Sequence, residues 1–137
     1  MRDVEVSRFV RATVPRVERA LSPTTLIEYE GSFTPRETVE LDDGSVRVIA
    51  GASGLEMGLL FEALENGYRY EQEGGAGPFE AMETTITYEP ENEGARVRMR
   101  SAVTLDLFPR RLTDRVAAWK RRAELERALE ALADDVE

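Results

Sequence analysis

The sequence predicts an α+β domain in which a seven-stranded antiparallel sheet is covered by one long C-terminal helix, in the order β-α-α-β6-α. Three observations predict it. Residues 109–136 are the one stretch long enough and rich enough in helix formers for a major helix. Residues 32–105 carry no helix signal and are broken by repeated turn markers. The first twelve residues alternate at a period of two, as a half-buried strand does. The long helix is then the element able to cover a sheet face.

In the first strand Val4, Val6, Val10 and Ala12 share a face with Arg8. Thr13 is placed to cap a short helix through Pro15, Val17 and Leu21; Ser22-Pro23 is a second cap and first turn, for a helix ending near Tyr29-Glu30-Gly31. The turn markers that follow are Asp43-Gly44, Gly51-Ala52-Ser53-Gly54, Asn66-Gly67, Gly74 to Pro78 and Glu91 to Gly94. They delimit six strands near 33–41, 45–51, 54–65, 68–73, 80–90 and 95–105, an antiparallel meander.

Tight hairpins fix which residues lie opposite one another, so the face parity of the whole meander can be checked. A two-residue Asp43-Gly44 turn pairs Leu41 with Val46 and Val39 with Val48. A turn at Ala52-Ser53 pairs Val48 with Met57 and Val46 with Leu59; one at Asn66-Gly67 pairs Phe61 with Gln72 and Ala63 with Tyr70. The last hairpin, centred on Asn92-Glu93, pairs Tyr88 with Val97, Ile86 with Met99, Thr84 with Ser101 and Met82 with Val103. If Tyr70 lies beside Thr84, a row Ala63, Tyr70, Thr84, Ser101 crosses the buried face next to Phe61, Gln72, Met82, Val103. The other face, with Arg69, Glu71, Glu83, Arg96, Arg98 and Arg100, is wet.

The long helix begins near Pro109 and carries two apolar clusters. Leu112, Val116, Trp119 and Ala123 lie on one side; Ala118, Leu125, Leu129, Leu132 and Val136 lie more than a quarter-turn away. One cluster packs on the sheet, and the other is left for a neighbouring helix, a partner chain such as a second copy, or a pocket wall that includes Trp119.

Composition narrows the chemistry. A chain of 137 residues is one domain, 1–137, large enough to fold without staples. With no cysteine and no histidine, thiol nucleophiles, imidazole catalysis and Cys/His zinc sites are excluded. No apolar run is long enough for a membrane span and Met1-Arg2-Asp3 opens no leader, so a cytoplasmic protein is expected. The 27 acidic and 18 basic residues give a net charge of −9, with Lys120 the only lysine, which argues against a nucleic-acid partner. Such a surface suits a salt-rich cytoplasm, where counterions screen self-repulsion; a GC-rich genome would also favour arginine over lysine.

The order of elements, with the opening Val4-Glu5-Val6-Ser7-Arg8, the turn and short helix Val14-Pro15-Arg16-Val17, and Leu21-Ser22-Pro23, resembles the START-like superfamily, also called SRPBCC. The resemblance spans nearly the whole chain. It implies the helix-grip (START/Bet v 1-like) fold, a curved sheet gripping the last helix with a cavity between them for a lipid, a polyketide or another apolar molecule, and it also permits an enzyme of the polyketide cyclase/dehydrase type.

Candidate ligand-binding residues follow from the inward face and the helix: Met57, Phe61, Tyr70, Gln72, Met82, Thr84, Met99, Ser101 and Trp119. Methionines and aromatics line adaptable apolar pockets and equally fill ordinary cores. Tyr70, Gln72, Thr84 and Ser101 are more telling, because polar groups on a buried face need partners from each other, water or a ligand. Glu37, in line with Val39, is a candidate buried acid or base, or else the ion-pair partner of Arg36 or Arg8 or simply exposed at a strand end. Gly74-Gly75-Ala76-Gly77 lacks the lysine and helix of a phosphate loop, and Glu89, Glu91 and Glu93 lack calcium-loop spacing. No catalytic residue, metal or cofactor is assigned. The expectation is a binder of an apolar small molecule, with a cyclase/dehydrase-type enzyme and a ligand-free interaction module as rivals.

Overall fold

The computed structural model describes residues 2–73, 81–104 and 110–137. Its elements are β1 (Arg2–Val10), α1 (Val14–Ala20), α2 (Pro23–Glu30), β2 (Thr34–Glu40), β3 (Val46–Ala52), β4 (Leu55–Leu64), β5 (Gly67–Glu73), β6 (Ala81–Glu91), β7 (Gly94–Thr104) and α3 (Arg110–Val136). The strands form one antiparallel sheet in the order β1-β7-β6-β5-β4-β3-β2. The expected hairpin at Gly74–Pro78 and the first-turn role of Pro109 fall outside the described residues.

The helix starts follow the sequence signals. Thr13 accepts a hydrogen bond from the Arg16 amide, and Ser22 accepts one from Thr25 at 3.2 Å. Gly31 closes α2 with φ 82°, a left-handed conformation that glycine adopts without the Cβ penalty, so Glu30 becomes the last helical residue and faces the interior. At the far end of α3, Arg16 Nε donates to the Val136 carbonyl at 2.6 Å, satisfying an acceptor that the helix itself leaves open.

The last hairpin has the expected register, including Thr84 opposite Ser101 and Ile86 opposite Met99, and Tyr70 does lie opposite Thr84. Three other hairpins differ. The β3–β4 turn is Ser53-Gly54, both at positive φ, so Val48 faces Leu59 and Val46 faces Phe61. The β4–β5 turn closes between Leu64 and Gly67, so Phe61 faces Tyr70 and Leu59 faces Gln72. Both shifts are even and leave every side chain on its expected face. Phe61 thereby replaces Ala63 in the row with Tyr70, Thr84 and Ser101, and its ring stacks on Tyr70 at 4.5 Å.

At β2–β3 the slip is odd. Asp43 Oδ1 accepts from the Ser45 amide and hydroxyl, and Leu41 N bonds Ser45 O, which lengthens the connection beyond two residues. Val48 then faces Thr38 and Ile49 faces Glu37, with an irregularity between Pro35 and Glu37. A one-residue slip turns the strand over. Glu37 therefore stands on the outer side and is exposed, as is Val39, and the reading of Glu37 as a buried acid or base is corrected.

The wet face is laced with ion pairs: Arg69 with Glu62, Glu71 and Glu83, Arg96 with Glu91, Arg98 with Glu89 and Arg100 with Asp3. On the inner face α3 buries Ala117, Leu125, Ala128, Leu129, Leu132, Ala133 and Val136. Its other cluster is open to solvent at Val116, Trp119 and Ala123; the Leu112 side chain lies outside the described residues. Among the described residues, no helix is long and apolar enough to cross a membrane.

Candidate functional site

Sheet, α2 and α3 converge on a cluster of buried polar groups. Arg121 is on the inner stripe of α3, one turn before Leu125, and is almost fully buried. Its Nε donates to Ser101 Oγ at 3.0 Å. Its Nη2 donates to the Tyr70 hydroxyl and to Thr84 Oγ1, each at 2.7 Å. Its Nη1 donates to Glu30 Oε1 and to Glu124 Oε1, the latter at 3.3 Å. Each nitrogen of the guanidinium thus has a partner, the condition under which a buried arginine is tolerable.

The partners are joined to one another. Tyr70 donates to the other oxygen of Glu30, Ser32 donates to Glu124, and Thr84 and Ser101 share a hydrogen bond of 2.8 Å. Burial by itself would lower the Arg121 pKa; the carboxylates of Glu30 and then Glu124 overcome it and hold the guanidinium protonated. Burial pushes the Tyr70 hydroxyl up; Arg121 opposes this and Glu30 adds to it, and the result is a phenol kept neutral as a donor.

A recess opens on this cluster. Its polar floor is Glu30, Ser32, Tyr70, Arg121 and Glu124, and its walls are Ile27, Phe33, Met57, Leu59 and Met82. Ser32 and Phe33 are half-buried and the others buried, so the recess reaches solvent beside the α2–β2 connection. The recess leaves about 20 Å³ accessible to a water-sized sphere, room for about one water.

Of the residues singled out from sequence, Met57, Tyr70 and Met82 line the recess. Thr84 and Ser101 stand behind it, holding Arg121, while Phe61 and Met99 are core. Gln72 is half-buried beside Leu59. Trp119 is corrected: it is 75% exposed on the side of α3 away from the sheet and cannot wall the cavity. Sequence reasoning missed Arg121, Glu30 and Glu124. The signal for Arg121 was its place on the stripe of Leu125, Ala128 and Leu132, directly over the buried hydroxyls it serves.

The chain matches, over residues 1–137, the family described as polyketide cyclase / dehydrase and lipid transport. It belongs to that family, with a START-like, helix-grip fold. TTHA0849 from Thermus thermophilus is 23% identical, with TM-score 0.68, over 99% of this chain and 100% of that one. A START superfamily protein from Mycobacterium smegmatis is 14% identical, with TM-score 0.71, over 98% and 99% of the two chains. The di-domain ARO/CYC protein BexL is 24% identical, with TM-score 0.65; the match covers 93% of this chain and 45% of that one. A search of curated proteins found no match.

Proposed function

We propose that the protein binds a small, mainly apolar molecule with one hydrogen-bonding end, held in the recess between α2, the sheet and α3. One observation carries this reading: the apolar walls of Ile27, Phe33, Met57, Leu59 and Met82 lead to a floor of convergent polar groups. That is the usual division of labour in a ligand site, where apolar surface supplies affinity and a few polar groups set orientation. The family description, which includes lipid transport, supports the same class of cargo. The accessible volume is too small for such a body, so binding requires Met57, Met82 and Phe33 to move, and methionine side chains change rotamer at small cost.

A second reading is an acid–base enzyme of the cyclase/dehydrase type. It is favoured by the Tyr70 hydroxyl and the Glu30 carboxylate, hydrogen-bonded to each other at the recess, two groups of the kind an acid–base step uses. Against it stands the full engagement of Arg121, which leaves its guanidinium no free donor for an oxyanion. Native mass spectrometry of the purified protein, with organic extraction, separates the two. Bound apolar material supports the carrier. Turnover of an aromatic polyketide that is abolished by Tyr70→Phe supports the enzyme, and the absence of both would overturn the ligand reading.

A further inference from the structure

The outer side of α3 has a composition unlike the rest of the surface. At 100° per residue, Trp119, Ala123 and Val116 form the centre of the face directed away from the sheet; all three are exposed, Trp119 by 75% and Val116 by 59%. Arg115 and Arg122 flank this strip on one side, with Glu126 between them and Trp119, and Lys120 and Arg127 flank it on the other; all five are exposed, and Arg122 also donates to the Glu5 carbonyl of β1 at 3.3 Å. Between residues 115 and 127 the exposed charges are these four bases and one acid, Glu126, in a chain whose net charge is −9. Beyond Arg127 the same side turns acidic, with Glu130 and Asp134. The basic, apolar section thus ends at Arg127, ahead of the acidic last turns of the helix.

An apolar strip with an indole at one margin, edged by bases on both sides and interrupted by a single acid, Glu126, fits a helix that lies in the headgroup plane of a bilayer. Indoles settle at that depth, and long basic side chains keep their charges at the phosphates while their stems cover apolar surface. We propose that residues 115–127 dock the protein on an anionic lipid surface, with Trp119 and Val116 entering the headgroup region. Charge complementarity selects this occupant. A two-fold dimer through the same strip would bring the bases of each flank against the same basic flank of the second copy, with Glu126 as the single exposed acid to offset them, and like charges in contact repel. The net charge of −9 does not forbid approach to an anionic surface, since screening at about 0.15 M salt confines electrostatics to roughly 8 Å. The opposite side of the same turns carries Arg121 and Glu124 to the recess, but the docking does not depend on what the recess holds.

Trp119 is the only tryptophan, so its emission reports the strip alone. The experiment mixes the full chain with vesicles of phosphatidylglycerol or phosphatidylcholine, at the lowest KCl concentration at which circular dichroism is native. Expected are a blue shift of Trp119 and its quenching by brominated acyl chains with phosphatidylglycerol only. The pair Arg115→Glu and Lys120→Glu should weaken partitioning at least tenfold, and Trp119→Ser should weaken flotation with the vesicles to a similar degree, both variants keeping the native dichroism. Unshifted emission with phosphatidylglycerol overturns the proposal, as does an equal response to phosphatidylcholine. A blue shift without lipid that follows protein concentration and a dimer in sedimentation would assign the strip to a second copy. Binding of polyglutamate without vesicle binding would assign it to an acidic protein. Either of these results also overturns the proposal.

Discussion

Arg121 on α3 and Glu30 at the end of α2 form an ion pair across 91 residues of sequence, with side chains only 2% and 10% exposed. The pair ties the two helices that bound the recess to the sheet hydroxyls beneath it. Removing one member leaves the other charge buried, which typically costs about 3–5 kcal/mol. Arg121→Met should therefore lower unfolding stability by about that amount in chemical denaturation. A loss below about 1 kcal/mol would mean that the carboxylates are already compensated by water.

Alkaline stability should depend on Tyr70. Burial raises its pKa in the folded chain, so the neutral phenol is the form that folds. The sign follows: this contribution is complete below the unfolded tyrosine value of about 10 and is lost as pH rises through the folded value. Tyr29 and Tyr88 are raised too, first by burial, so several phenols act in the same direction. The denaturation midpoint should fall as pH rises above about 10, less steeply in Tyr70→Phe. Equal slopes in the two proteins would remove Tyr70 from the account.

Much of this was legible in the sequence. The elements, the helix caps and the row Tyr70, Thr84, Ser101 follow from periodicity and turn residues, because face parity survives any even slip of a hairpin. Glu37 was misread because an Asp43–Ser45 side-chain turn lengthens the loop by an amount that local spacing does not reveal. Glu30 and Arg121 were hidden for a different reason. Each is a common surface residue type, and only tertiary packing turns a helix end and a stripe position into a buried pair. Trp119 was misplaced because α3 carries two apolar clusters and periodicity alone does not say which one meets the sheet.

The acidic composition should make folding respond to salt. Ion pairs on the outer sheet face, such as Arg69–Glu83 and Arg98–Glu89, are exposed and weaken on screening, but each is worth only about 0–1 kcal/mol. Repulsion among the unpaired excess behind the −9 net charge weakens as well, and that effect is the larger. Melting temperature should rise from dilute buffer to molar KCl. A flat response would remove the salt-rich origin without touching the fold.

The wall of the recess should control capacity. Met82→Ala removes a buried side chain of β6 from the recess wall, with a stability cost of about 2–5 kcal/mol typical of such truncations, and leaves space in which a ligand body can lie. A fluorescent fatty acid should bind the variant more tightly than the parent chain, read by titration at equal folded fraction.

The measurement closest to the central claim is probe binding to a variant whose recess is filled. Met57 lines the recess without contributing to the hydrogen bonds of Arg121, so Met57→Phe should occupy the free space and leave the polar cluster intact. Titration of a fluorescent fatty acid, or of an anilinonaphthalene sulfonate, should show affinity at least about tenfold weaker than in the parent chain, roughly 1.4 kcal/mol, with cooperative unfolding preserved. Unchanged affinity in a folded variant would place the probe elsewhere and contradict a ligand site between α2, the sheet and α3.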